Sequence, residues 1–198
     1  MRSASPLVTA VRKGRPGRAV VELDGEVWRT MPVEVIVRAG LAEGVLIDRE
    51  RARAVRRELR RVGAFAAAGK ALRFHELSAQ HLDAALSRAR VAPRDRASTL
   101  ETLERAGLVS DQRVSLARAR ALAERGAGDA AIRDDLRKRG IAPELVVSAI
   151  AVLEPEPERA TRIATKRGRS PATWRYLVRK GFGEDSIEAA LDAVASDR

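Results

Sequence analysis

The chain has 198 residues, 45% of them apolar but only 3% aromatic, so it can bury a core, built from Leu, Val, Ile and Ala, and does not read as a disordered chain. Lys and Arg total 38 against 27 Asp and Glu, a net charge of +11. That suits a polyanionic partner such as nucleic acid, a membrane surface or an acidic protein face, although solvated Arg-rich helix surfaces would give the same balance. There is no cysteine, which excludes a disulfide framework, a thiolate metal site and a Cys nucleophile.

The shortage of aromatics favours helices packed through small side chains over a β-sandwich. Met1 to Val11 holds no apolar stretch of signal-peptide length, and no run approaches 18 apolar residues. A cytoplasmic protein with no membrane partner is expected.

Leu7 to Arg12, Arg18 to Leu23 and Val27 to Met31 read as three short strands. Gly14-Arg15-Pro16-Gly17 turns the first into the second, and Asp24-Gly25 is a strong hairpin signal because both positions tolerate positive φ. A small antiparallel meander follows, with Trp28 expected to plug its apolar face. Thr30 is read as the cap of a short helix over Pro32 to Ala39 that Gly40 ends.

Asp48 caps a longer helix, on which Ala52, Val55, Leu59 and Val62 form one apolar stripe at 3, 4, 3 spacing. Arg49, Arg53, Arg56 and Arg60 line another face. Residues 1–65 carry 14 basic and 8 acidic side chains, more than half of the net charge. That face either contacts phosphates or an acidic protein, or is a solvated helix surface.

The remaining chain is helical and repetitive. Leu136-Arg137-Lys138-Arg139-Gly140-Ile141 matches Leu177-Val178-Arg179-Lys180-Gly181-Phe182, and Leu86-Ser87-Arg88-Ala89-Arg90-Val91 is a degenerate copy with Arg90 in place of the Gly. Each copy ends one helix and opens the next. The Gly suits the left-handed residue after a helix, and Pro93 and Pro143 fall near the first turn of the helix that follows. Ser78, Asp129 and Ser170 are read as caps upstream of the three junctions. Periods of this length mark stacked supersecondary units of about three helices each. The divisions expected are an N-terminal β-meander with a basic helix over 1–62, then repeats over 63–107, 108–153 and 154–198. Glu154-Pro155-Glu156-Pro157-Glu158 breaks the chain before the last repeat, and its glutamates suit the start of the following helix.

No catalytic or metal-binding pattern emerges. His75 and His81 lie six residues apart with no third or fourth ligand at a useful spacing, so both read as surface or partly buried side chains. Gly63 to Lys70 looks like a phosphate loop. But five residues separate its glycines, Ala71 stands where a Ser or Thr is needed, and the run is helical. Asp134-Asp135 and Glu184-Asp185 are adjacent on helices and face different directions, so neither is an acid–base couple. No enzyme and no cofactor are expected.

Three segments carry a resemblance. Gly107-Leu108-Val109-Ser110-Asp111-Gln112-Arg113-Val114 resembles the Gly-[Leu/Tyr]-[Ile/Leu]-Asp-Asp-x-Arg-Phe stretch of the RecX family. Arg125 to Ile141 resembles that family's second-repeat core, and Gly168 to Phe182 the same element in its third repeat. Val114 departs from the usual aromatic, Ser110 from the first of two acids, and the first repeat lacks its junction Gly. The likeness covers about residues 63–195, and the β-rich start also looks like the N-terminal extension of some members. It implies tandem three-helix repeats in an elongated curved array, docking in the groove of a RecA–DNA filament. It also implies suppression of strand exchange, ATP turnover and coprotease action by limiting filament growth.

On that basis the candidate contacts to filament or DNA are Arg118, Arg120, Arg125, Arg133, Arg137, Lys138 and Arg139 in the middle repeat. Arg175, Arg179 and Lys180 are added in the third, and Arg53, Arg56 and Arg60 in the N-terminal helix. The expected partner is the RecA filament, with single- or double-stranded DNA as a further one, and the protein is expected to act as a monomer. The alternative is a helical module that binds DNA directly without RecA. Trp174 and Tyr176 flank Arg175 and could stack on bases, but Trp174, Leu177 and Val178 form an apolar face at helical spacing, which favours core packing.

Overall fold

The computed structural model describes residues 5–196. They fall into two compact units: residues up to Arg73 together with Asp83–Thr102, and Phe74–Leu82 together with residues from Leu103 onward.

The first unit opens with three antiparallel strands in the order β1 (Val8–Lys13), β2 (Arg18–Leu23), β3 (Glu26–Pro32). Asp24 and Gly25 both take positive φ in the turn between β2 and β3, as the hairpin requires. Val8, Ala19, Val21 and Met31 face a core completed by α1 (Val33–Arg38), and by Val55 on α2 (Arg49–Leu72). The stripe residues Ala52, Leu59 and Val62 pack against that same core.

Two expectations are corrected here. Trp28 does not plug the core: it remains 37% exposed, and fully buried Met31 takes that place. The pairing along β3 steps from Arg29 opposite Val21 to Val27 opposite Glu22. Trp28 is thus the extra residue of a bulge, which breaks the alternation its position implied. Thr30 does not cap α1, because it is paired with Val20 inside β3. Pro32 precedes the helix and supplies no capping side chain.

Asp48 does cap α2, accepting from the Arg51 N–H at 2.7 Å. The helix then runs without a break past residues 62 and 63, and the segment resembling a phosphate loop lies in its interior. Further along the chain lie α3 (Ala79–Arg88) and α4 (Pro93–Arg105), each passing from one unit to the other. Within the first unit, Arg96 on α4 bonds Asp83 on α3 at 2.8 Å.

The second unit contains two successive helix triplets. The first is α5 (Asp111–Glu124), α6 (Asp129–Lys138) and α7 (Pro143–Ala151), and the second is α8 (Glu156–Arg167), α9 (Pro171–Arg179) and α10 (Glu184–Ser196). Each triplet has its own core, around Ile132, Leu136 and Val146 in one and around Leu177, Ile187 and Ala190 in the other. The junction reading holds in backbone detail. The Ile141 N–H bonds the Leu136 carbonyl, and the Phe182 N–H bonds the Leu177 carbonyl. Gly140 and Gly181 between them are left-handed at φ 72° and 81°, so each helix ends in a tight reversal that only glycine enters without strain. Arg90 adopts the same conformation at φ 59°.

Asp129 is not the cap of α6. Gly128 holds that position, without a side chain to contribute. The orphan N–H groups of α6 find partners in the next triplet instead. The Asp129 N–H bonds the Glu156 carboxylate at 2.6 Å, and the Ala130 N–H bonds the Gly181 carbonyl at 3.1 Å. The start of α3 repeats the arrangement, with the Ala79 N–H on the Asp111 carboxylate at 2.8 Å and Ser78 Oγ donating to the Arg139 carbonyl at 2.7 Å. In both cases a carboxylate at the start of a triplet caps a helix that lies earlier in the chain.

Candidate polyanion-binding surface

Once a cation is held by a carboxylate, it has less to offer a partner. Arg118 on α5 places two donors on Asp135 at 2.9 and 2.8 Å, and Arg139 adds a third at 2.8 Å. The Arg118 hydrogen bond and then Arg139 hold the Asp135 carboxyl down at about 2, against an ordinary 3.8. Lys138 pairs with Asp134 one helical turn away, and Arg60 pairs with Asp95. The adjacent acids Asp134 and Asp135 thus balance charge on different faces, as expected from helix geometry.

The other candidates are less engaged. Arg53 and Arg56 are exposed on α2. Among the described residues no carboxylate pairs with Arg120, Arg125, Arg133, Arg137, Arg175, Arg179 or Lys180.

Two of these, Arg179 and Lys180, join Arg167, which the sequence reading did not single out. The Tyr176 ring on α9 gathers three cations: the Arg167 guanidinium lies 4.1 Å from its centroid, Arg179 5.5 Å and Lys180 Nζ 5.8 Å. Lys180 Nζ also donates to the Arg125 carbonyl at 3.3 Å. Tyr176 and Trp174 are half-buried against the core of the last triplet. That agrees with core packing for both rings, whereas Val178 is half-exposed at 50% and lies outside that face.

Gly126, next to Arg125, opens onto a cleft of about 510 Å³ with basic Arg120, Arg162 and Lys166 and an apolar side that includes Val152 and Ile163. Arg162 there pairs with Glu154. Arg159, Arg162 and Lys166 recur at 3, 4 spacing on α8, a basic stripe that was available to sequence reading. Arg159 itself is buried, at 5% exposure. It donates to the Glu154 and Ala127 carbonyls and to the Asp129 carboxylate, with the Phe182 ring 5.9 Å away. It is an internal tie between the two triplets and is not available to a ligand.

His75 is exposed and His81 half-buried. Among the described residues no group of three His, Cys, Asp or Glu is placed to hold a metal, and no described helix is long and apolar enough to cross a membrane. Chemically, the face formed by α5, α8 and α9 offers cationic hydrogen-bond donors in excess of acceptors, which is a surface for binding anions.

No family model matches the chain. It is 29% identical over 149 residues to the regulatory protein RecX of Deinococcus radiodurans, a match that spans 70% of this chain and 72% of that one. A crystal structure of a regulatory protein RecX superposes with a TM-score of 0.81 at 19% identity, covering 94% of this chain and 99% of the other. RecX from Lactobacillus salivarius superposes with a TM-score of 0.62 at 15% identity, covering 69% and 97%. The mainly helical fold with a small antiparallel sheet is thus the fold of those proteins.

Proposed function

We propose that the chain is a member of the RecX family and a non-enzymatic modulator of RecA, and an inhibitor of it. It binds the groove of the RecA–DNA filament and limits recombinase, ATPase and coprotease activity. The observation that carries this reading is the series of cations on α5, α6 and α9 that no carboxylate neutralises among the described residues. They sit on successive helix triplets that are tied backbone to backbone. Stacked units of this kind hold binding groups at fixed spacing and can address neighbouring subunits of a polymer. Basic side chains steer such an association toward acidic protein faces and filament phosphates. The role calls for a cytoplasmic protein acting as a monomer.

The test is RecA ATP hydrolysis on single-stranded DNA with this protein added below stoichiometry. Strong inhibition supports the proposal, since one molecule that blocks filament growth silences many subunits. Unchanged turnover with equimolar protein overturns it.

A further inference from the structure

We propose that Arg167, Arg179 and Lys180, gathered on Tyr176, form a phosphate clamp for single-stranded nucleic acid.

The arrangement is unfavourable by itself. Three like charges lie within 6 Å of one ring centroid, and among the described residues none of the three has a carboxylate partner. Arg118 and Arg139, by contrast, share the Asp135 carboxylate. The electron-rich ring face offsets part of the repulsion. What is left over is attraction for an anion.

The ring also sets the geometry. Arg167 stacks on it from α8, while Tyr176, Arg179 and Lys180 come from α9 and its end. A guanidinium held over a ring face keeps N–H groups for a ligand, and its edge matches phosphate oxygens in pairs. With Arg167 on its face, the ring supports the cations rather than a base, so the clamp reads backbone and not sequence.

Three cations grouped around one ring favour a phosphate, with several acceptor oxygens around one atom, over the separated carboxylates of an acidic protein. Lys180 reaches the Arg125 carbonyl. Gly126 beside it shares a cleft with Arg120 and Lys166 and with the carboxylates Glu124 and Glu154; Glu154 is taken up by Arg162, so net positive charge continues away from the clamp, as a strand of phosphates requires. The clamp needs no recombinase, so it stands or falls separately from the filament reading.

The test is fluorescence anisotropy of the full chain with a labelled mixed-sequence single strand, titrated across salt concentrations in the absence of RecA. Substituting R167A, R179A and K180A together is expected to weaken binding about tenfold or more at low salt and to flatten log K against log salt by about 2, from three lost phosphate contacts at ~0.7 each. Tyr176→Leu, which keeps the charges and loses the platform, is expected to weaken binding several-fold at nearly unchanged slope. The control removes the same charge elsewhere, as R15A, R29A and R94A, all exposed, and is expected to have the smaller effect. The proposal is overturned if the clamp variant binds like the parent, or loses no more than the control. It is also overturned if polyglutamate displaces the strand as well as unlabelled strand does at equal charge, because the surface then serves an acidic protein.

Discussion

The carbonyl oxygen of Gly181 occupies the space a side chain at Gly128 would need: a Cβ on Gly128 would fall 2.2 Å from it. Two glycines from different repeats thus let two backbones touch, and the Gly128 N–H completes the contact by bonding the Lys180 carbonyl at 2.9 Å. Gly140 approaches α3 in a similar way, where a Cβ would meet the Gln80 side chain at 2.0 Å. The junction glycine therefore does two jobs. It closes its own helix, and it lets an earlier helix approach.

Gly128→Ala and Gly181→Ala are accordingly expected to destabilise the protein by at least about 2 kcal/mol each, since backbone atoms have to shift, with left-handed strain added at Gly181. Arg90→Gly is expected to act in the opposite direction, by about 0.5–1 kcal/mol. Arg90 bears the same left-handed strain at φ 59° and is exposed. Urea unfolding midpoints of the three variants check both signs.

This pairing also separates what was legible in the sequence from what was not. The junction pattern, the capping role of Asp48 and the apolar stripe of α2 are local, and local spacing revealed them. The absence of Gly from the first junction looked like a departure from the repeat. It is intelligible only once the glycine is seen to serve a neighbour as well as its own turn. Asp129 was misread because its N–H is satisfied by Glu156, 27 residues further along, a partner no local rule supplies. Trp28 was misread because a bulge shifts the register by one residue, and a bulge leaves no mark in apolar alternation. Arg179 and Lys180 were legible as basic residues beside a junction. Arg167 was not, because its partner Tyr176 lies on another helix.

The Asp135 carboxyl links pH to stability. Its folded value, about 2, lies below the ordinary 3.8, so the folded state binds this proton less readily than the unfolded state. The stabilisation is fully present above about pH 4 and is lost as pH falls through 2. It amounts to no more than about 2 kcal/mol. The gap in urea midpoint between the parent and Asp135→Asn is expected to be wide at pH 6 and to narrow steadily below pH 4. A gap of constant width down to pH 2 would show that the Arg118 and Arg139 contacts contribute nothing through charge.

The same contacts sort the candidate interface residues. Arg118→Ala strips two hydrogen bonds from Asp135 and is expected to lower stability more than it lowers inhibition of RecA. Arg137→Ala removes an exposed cation with no carboxylate partner among the described residues. It is expected to leave the unfolding midpoint almost unchanged while weakening inhibition several-fold. If both variants shift stability and inhibition in proportion, the two residues are equivalent, and pairing does not decide which cations serve the partner.

Arg159 presents the sharpest contrast between burial and exposure on one helix. Its side chain is 6% exposed, and the guanidinium is shared between the Asp129 carboxylate and the carbonyls of Ala127 and Glu154. Arg162, one turn further on, is 57% exposed and pairs with Glu154 at the surface. Removing one member of a buried pair leaves the other charge and its acceptors without compensation, so Arg159→Ala is expected to destabilise by about 3–5 kcal/mol. Exposed pairs contribute little, and Arg162→Ala is expected to stay within about 1 kcal/mol of the parent. A double variant tests the cause. Adding Asp129→Asn to Arg159→Leu removes the stranded carboxylate charge and refills part of the volume, so it is expected to regain stability relative to Arg159→Leu alone. Losses that simply add, measured by urea unfolding, would mean that the arginine stabilises the junction by packing on Phe182 and not by neutralising Asp129.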